Sequence, residues 1–346
     1  MPSVLFWSGQ PGGTAEYRAL APSRALERLG WDVRVDDEGV NVTLDGRVQG
    51  DPDVLVLVRA MGDYVPDMVR RVVAHGRTTV VYDSDDWFRD IPGYNPASQL
   101  PVHLVESMHQ AMREAHLITC STPELAEGYR DLNRTVVLPN FLDPDIWGNA
   151  LSYRTPRPFL TVGWAGAFHW RTGDLDQLRS WVPRFLDQNP DIRFAAIGCR
   201  ELLEWLGIDG VTTPELPPPP GYPQGRLSRY LHPYEHLPAL LGNLDVGLVP
   251  LIHSRFNQAK SWCKGMEYNA AGVPFVASSS REYRSYLHPG VNGLFARPGV
   301  WEKQVRSILD DLDAYRLRSR AHAERYFIDN HIHRWVDAYT SARVAA

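Results

Sequence analysis

In the first half of the chain, short apolar runs fall at residues 4–7, 32–35, 54–58, 79–82, 117–120 and 135–138. Between them, apolar positions recur at helical spacing over about 15–29, 65–74, 104–115 and 123–129. The Val and Leu runs lack polar alternation, which predicts strands buried on both faces of a parallel sheet covered by helices. Periodicity lapses over 143–158, where Pro, Asn and Tyr accumulate, and this stretch reads as a linker. A second series follows, with strands expected at 159–163, 192–197, 246–250 and 275–277 and helices at 174–186, 201–206, 234–241 and 261–271. The proline run 217–220 predicts an irregular or polyproline loop, and helical segments from 301 to 313 and on to 339 close the chain.

The expected fold class is α/β, with two Rossmann-like parallel-sheet domains facing a central cleft. A chain of 346 residues is also longer than a single hydrophobic core usually serves. The division falls at 1–150 for the first domain and 151–325 for the second, leaving 326–346 as a C-terminal helix free to pack back on the first. Open α/β sheets bind ligands beyond their strand ends, so the cleft is where chemistry is expected.

Composition narrows the function classes. Hydrophobic residues make up 44% and charged residues 22%, as in ordinary globular proteins. A net charge of −5 argues against nucleic-acid binding through a broad basic surface and leaves room only for a local basic pocket. Cys120, Cys199 and Cys263 have neither the number nor the spacing for a disulfide framework or a zinc site, which fits a reducing compartment. With no basic leader and no apolar stretch near the roughly 20 residues of a membrane span, no transmembrane segment is expected and the setting reads as cytoplasmic. The sequons at Asn41 and Asn133 then read as chance matches.

The most informative stretch runs from Phe256 to Pro274. Lys260, Lys264 and Lys303 are the only lysines, and arginine supplies every other cation. Two lysines so close together point to a site that wants a compact ammonium. If a helix starts near Gln258, then Lys260, Lys264 and Glu267 share one face. The helix dipole opposes a cation in the first turn by up to about 1 kcal/mol, a penalty that a bound anion reverses. Free backbone N–H groups, the Ser261 hydroxyl and Lys260 then make a cradle for a diphosphate, and Glu267 can accept ribose hydroxyls. The plain alternative is a surface helix whose Lys264 and Glu267 form a solvated ion pair.

Asp245-Val246-Gly247-Leu248-Val249-Pro250-Leu251, Lys260-Ser261, Glu267-Tyr268, Gly272-Val273-Pro274 and Gly293-Leu294-Phe295 together resemble the donor-binding half of GT-B glycosyltransferases of the family 4 type. Val162-Gly163-Trp164-Ala165-Gly166 with Asp174-Leu175 is similar to the opening of that half, and the signals cover most of 159–296. The first half matches more loosely, through Gly12-Gly13 and Leu138-Pro139-Asn140. The resemblance implies retaining transfer of a hexose-type sugar from a nucleotide-diphosphate donor, with the acceptor on the first half and the donor on the second. In that family two glutamates lie eight positions apart. Glu267 matches the second, the ribose contact, but Ala259 stands where the first belongs. Asn257, Gln258 and Lys260 are the candidates to replace it, and the sugar itself is left open.

Further candidates lie in the turns. Gly12-Gly13-Thr14 between a strand and a helix lets backbone approach a phosphate or the acceptor, or is merely a tight connection. Gly166, His169 and Arg171 occupy the equivalent turn of the second half, where Arg171 can balance diphosphate charge without a metal. Asp83-Ser84-Asp85-Asp86 has the Asp-x-Asp form of metal-dependent single-domain transferases, but the doubled α/β layout argues against that fold. In a GT-B chain Asp85 and Asp86 sit at the interdomain edge, placed to orient the acceptor or stabilise an oxocarbenium-like centre, or else to cap a helix. Asp36-Asp37 ends the second strand as in a dehydrogenase, yet Gly9 to Gly13 lacks Gly-x-Gly-x-x-Gly spacing. Trp87, Trp164, Trp170 and Trp262 fall in or beside the cleft loops, as sugar-stacking or as packing residues.

The expected function is therefore a glycosyltransferase without cofactor or metal, its donor a nucleotide-diphosphate sugar and its acceptor a glycan, protein, lipid or small molecule. The competing readings are a nucleotide-sugar epimerase or hydrolase on the same fold, and a nucleotide-sugar-binding protein without catalysis.

Overall fold

The computed structural model describes residues 1–9, 12–154, 156–212 and 233–342; the proline run 217–220 lies outside them. Among the described residues the first sheet contains β1 (Ser3–Trp7), β2 (Asp32–Asp36), β3 (Val54–Val58), β4 (Thr79–Ser84), β5 (Leu117–Cys120) and β6 (Thr135–Val137), all parallel, in the order β2-β1-β3-β4-β5-β6. The second contains β7 (Leu160–Ala165), β8 (Ile192–Ile197), β9 (Val211–Thr212), β10 (Val246–Val249), β11 (Phe275–Ser278) and β12 (Gly293–Ala296), in the order β12-β11-β10-β7-β8-β9. β3, β4 and β5 are buried along their whole length, as their unbroken apolar runs predict, whereas β2 is a half-exposed edge. The apolar pattern did not reveal β9, which has two residues, or β12, which opens on a glycine.

Each sheet reverses its winding direction once, between β1 and β3 in the first and between β7 and β10 in the second. Beyond the carboxyl ends of such strand pairs the connections diverge and leave a crevice. Gly12, Gly13 and Arg59 follow β1 and β3; Gly166, Arg171 and the 251–262 segment follow β7 and β10. The two crevices face each other, because Tyr17, Asp86, Thr122 and Asn140 of the first half bond Glu267, Lys260, Ala259 and Ser261 of the second.

Two stretches depart from the expected pattern. The presumed linker holds a helix, Pro144–Trp147, and a 3-10 turn, Ala150–Tyr153, with Trp147 fully buried. Asp143 accepts from the Asp145 N–H and Pro144 opens the helix, so residues that break periodicity here build a helix start. The helix expected over 174–186 is two, Thr172–Arg179 and Val182–Asp187, with Pro183 at the start of the second. Helix His333–Ala342 returns to the first sheet, its Trp335, Ala338 and Tyr339 packed with Val4, Phe6 and Val56. Among the described residues no helix is long and apolar enough to cross a membrane, and no group of His, Cys, Asp and Glu is arranged to hold a metal. Asn133 donates its amide to the carbonyls of Met112 (3.2 Å), Arg113 (3.3 Å) and Ala115 (2.6 Å), closing helix Val102–Glu114.

Trp87, directly after the acidic segment, is buried against Tyr129 with ring centroids 5.6 Å apart. A Cβ at Gly128 would lie 1.8 Å from the Trp87 ring. Gly128→Ala is therefore expected to lower stability by roughly 1–3 kcal/mol through overpacking, read as a fall in the urea midpoint.

Candidate active site

The site is anchored at the end of β4. Asp83, inside the strand, is buried against the fully buried Arg18, which donates from Nε at 2.8 Å and from an Nη at 2.7 Å. Arg18 also donates to the Leu138 carbonyl (2.6 Å) and Asn140 Oδ1 (2.9 Å), and Thr119 donates to Asp83 at 2.6 Å. Buried charge is tolerated when paired and hydrogen-bonded in this way. Asp85 and Asp86 emerge beyond this anchor. Arg59 donates from Nε to Asp85 and lies 3.4 Å from Asp86 Oδ2. It does so from φ +48°, a conformation that costs a non-glycine residue energy and persists only where its surroundings enforce it. The helix opening at Gly13 brings its first turn alongside, with Thr14 Oγ1 3.5 Å from Asp85. Gly12 has φ +87° and ψ −149°, backbone suited to glycine, and the start of that helix carries amides without helical acceptors.

From the second half, the helix expected over 261–271 forms as Cys263–Ala270, but it does not start near Gln258: a separate short helix, Arg255–Gln258, capped by Ser254, precedes it. Lys260 and Ser261 lie in the break. They do not occupy the first turn of the Glu267 helix, and a single Lys260–Lys264–Glu267 face does not form. Contacts across the halves accompany the break: the Ala259 carbonyl accepts from Thr122 Oγ1 at 2.9 Å, Ser261 Oγ accepts from Asn140 at 3.0 Å, and Lys260 Nζ donates to Asp86 Oδ1 at 2.8 Å. Lys260 also sits 4.1 Å above the Phe256 ring.

Burial pulls the Lys260 ammonium down to about 8, with Arg171 and Arg59 adding to the effect and Asp86 opposing it. Asp86 is held low by Lys260, Arg59 and Arg171, against its own burial. Arg171 thus acts on these groups through its charge, while its own ion pair is with Asp174 at 3.5 Å. An anion bound here depends on a protonated Lys260. Affinity for a phosphate-bearing anion is expected to hold below pH 8 and to fall as pH rises through about 8; Lys260→Met should flatten this profile in a calorimetric titration.

Glu267 is buried, and Tyr17 of the first half donates to its Oε1 at 2.8 Å. Tyr234 donates to Tyr17 Oη at 2.7 Å and lies 3.4 Å from the same carboxylate oxygen. Burial raises the Glu267 carboxyl, while Lys264 and the two hydroxyls favour its charged form. The solvated Lys264–Glu267 pair of a surface helix is not what forms. Lys264 instead donates to the Ala165 carbonyl and lies 5.6 Å from the centre of the Trp164 ring. At Gly166, with φ +146°, a Cβ would lie 2.9 Å from the Trp164 ring, so the turn requires glycine.

Other sequence candidates are placed differently. His169 is exposed on a 3-10 turn, 3.8 Å from Glu201. Asn257 is fully buried and donates to Asp174 (2.7 Å), Tyr94 (3.3 Å) and the Ile252 carbonyl (3.0 Å); its Oδ1 has no partner. Gln258 accepts from the Arg281 N–H at 2.6 Å. Trp87, Trp164 and Trp262 are buried packing residues, and Trp170 is exposed. Asp36 accepts from the Glu38 and Gly39 N–H groups, shaping its own turn. The sequence pattern singled out neither Arg59 nor Tyr17. Arginine is too common here to draw notice, and Tyr17 lies within an apolar helix pattern that predicts packing.

Solved structures match the whole layout. Sucrose-phosphate synthase of Thermosynechococcus elongatus superposes with a TM-score of 0.67 at 12% identity, covering 99% of each chain. The chain has the GT-B architecture. Anabaena HepE in complex with UDP-glucose gives 0.63 at 15% identity over 98% of this chain and 99% of that one. A glycosyltransferase of Rickettsia africae gives 0.63 at 10% identity over 99% and 98%. No protein-family model and no curated sequence matches the chain. In a GT-B molecule the cleft lies between the two sheets, and the Asp86–Lys260 and Tyr17–Glu267 contacts bridge the two halves there.

Proposed function

We propose that the chain is a retaining, family 4-like glycosyltransferase that moves a hexose-type sugar from a nucleotide-diphosphate donor to an acceptor, without a metal ion. The observation that carries this is the convergence of Lys260 and Arg59 on Asp85 and Asp86 where the two crevices meet, with Arg171 acting on the same groups through its charge and Glu267 on the next helix. Cations aimed at one place in a partly water-excluded cleft suit a leaving diphosphate, whose negative charge grows as the sugar departs. In this reading Lys260 and Arg171 take the diphosphate, Glu267 takes the ribose, and the turns at Gly12-Gly13 and Gly166 let backbone approach the donor. Asp85 and Asp86 face the sugar carbon and the acceptor hydroxyl. Residues 1–150 hold the acceptor and 151–325 the donor. The HepE structures contain UDP and UDP-glucose, which makes uridine donors the first class to try.

One observation favours a second reading, a nucleotide-sugar binder without transfer. Ala259, at the place of the family's first glutamate, is 1% exposed and packed into the core of the first half. Its position offers no carboxylate to a donor sugar.

Incubation with UDP-sugars, with and without candidate acceptors, separates the readings by mass spectrometry of the products. A transferase gives UDP and a glycosylated acceptor only when both substrates are present. Breakdown or epimerisation of donor alone marks a hydrolase or epimerase. Nucleotide binding without turnover marks the binder. Chelation by EDTA is expected to leave the transfer rate unchanged; its abolition would contradict the metal-free reading.

A further inference from the structure

Both donor-gripping groups of the second half are engaged by residues of the first. Lys260 is held by Asp86 at 2.8 Å, and Glu267 by Tyr17 at 2.8 Å. Asp86 is also 3.4 Å from Arg59, so one carboxylate is contacted by two cations, one from each half, while Arg171, paired with Asp174 at 3.5 Å, adds only its field. Lys260 comes from the second half, whereas Arg59 comes from the first, where it also donates to Asp85 and holds a costly backbone conformation, φ +48°. Arg59 is only 14% exposed at its side chain, and its guanidinium is 5.5 Å from the Phe88 ring centre. Lys260 and Arg59 thus meet at Asp86 from the two halves, with Arg59 shared between Asp86 and Asp85.

We infer that Asp86 is an internal stand-in for the diphosphate, and that Arg59 is a third diphosphate ligand, supplied by the first half. This deepens the donor-binding reading above and rests on it. Donor entry exchanges one anion for another. The diphosphate displaces the Asp86 carboxylate from Lys260 and Arg59, while the ribose hydroxyls replace the Tyr17 hydroxyl at Glu267. Asp86, released from Lys260, is then free to turn toward the acceptor, so the donor binds before the acceptor is engaged. A ligand that displaces an existing partner binds more weakly than one entering a vacant site, because the old contacts are lost. Removing the charge of Asp86 should therefore tighten diphosphate binding even as it abolishes transfer.

The test is calorimetric titration of UDP and of uridine into wild type, Asp86→Asn, Asp86→Ser and Arg59→Lys. Asp86→Asn and Asp86→Ser should bind UDP about tenfold more tightly than wild type, with uridine affinity unchanged. The ligand-free variants should melt lower than wild type and regain the loss when UDP is added. Arg59→Lys keeps the charge but not the planar fork, and should weaken UDP severalfold while sparing uridine. If wild type binds UDP but the Asp86 variants bind it equally or more weakly, the stand-in role is overturned and the donor grip stands. If wild type and variants alike fail to bind UDP, the donor reading falls with it.

Discussion

Lys260→Met is expected to weaken binding of a nucleoside diphosphate by roughly 10- to 100-fold, since a hydrogen bond to a charged group contributes about 1.5–3 kcal/mol. Two features keep the effect specific. Lys260 lies in the break between helices Arg255–Gln258 and Cys263–Ala270, so its replacement removes no helical hydrogen bond. Asp86, its partner, retains Arg59 at 3.4 Å and is not left as an unpaired charge. Folding should therefore be close to wild type, with the loss confined to phosphate-bearing ligands. Uridine affinity measured in the same titrations is the internal control. A parallel loss of uridine binding would point to a general distortion of the cleft.

Arg18→Met is expected to give the largest fall in stability, about 3–5 kcal/mol, because it strands a buried carboxylate. The Arg18 side chain is 0% exposed and that of Asp83 3%. The guanidinium also supplies donors to Leu138 and Asn140, which lose them together. Against a total stability of about 5–15 kcal/mol this is a large share. It would appear as a lower urea midpoint at similar slope. A double change, Arg18→Met with Asp83→Leu, should recover part of the loss, since a buried pair replaced by apolar groups of similar size is often neutral. A single-variant loss below about 1 kcal/mol would show that the pair is better hydrated than its burial implies. Because Asn140 connects Arg18 to Ser261, the variant should also weaken donor binding more than a remote variant of equal instability.

The doubled sheet was readable because β3, β4 and β5 are central parallel strands: the unbroken Val and Leu run of β3, and the shorter apolar runs within β4 and β5, are the imprint of burial on both faces. Lys260, Asp86, Arg171 and Glu267 were each conspicuous by residue type and position, but their mutual arrangement was not. The break at 259–262 has no proline or glycine to announce it. It accompanies long-range contacts, Ala259 with Thr122 and Lys260 with Asp86, and tertiary contacts of this kind override local propensity. Arg59 was invisible for a different reason: its distinction is a backbone angle that residue type does not encode. His169 was conspicuous in the turn, yet that turn carries its ring toward Glu201 at the surface.

The central claim is that the cleft grips a nucleotide through its diphosphate. Titration of UDP into wild type and Lys260→Met, with uridine alongside, tests it most directly. Saturable UDP binding by wild type, lost by at least about tenfold in Lys260→Met while uridine is unaffected, is the predicted result. Wild-type protein that binds no nucleoside diphosphate, or a Lys260→Met variant that binds UDP as well as wild type, would contradict it.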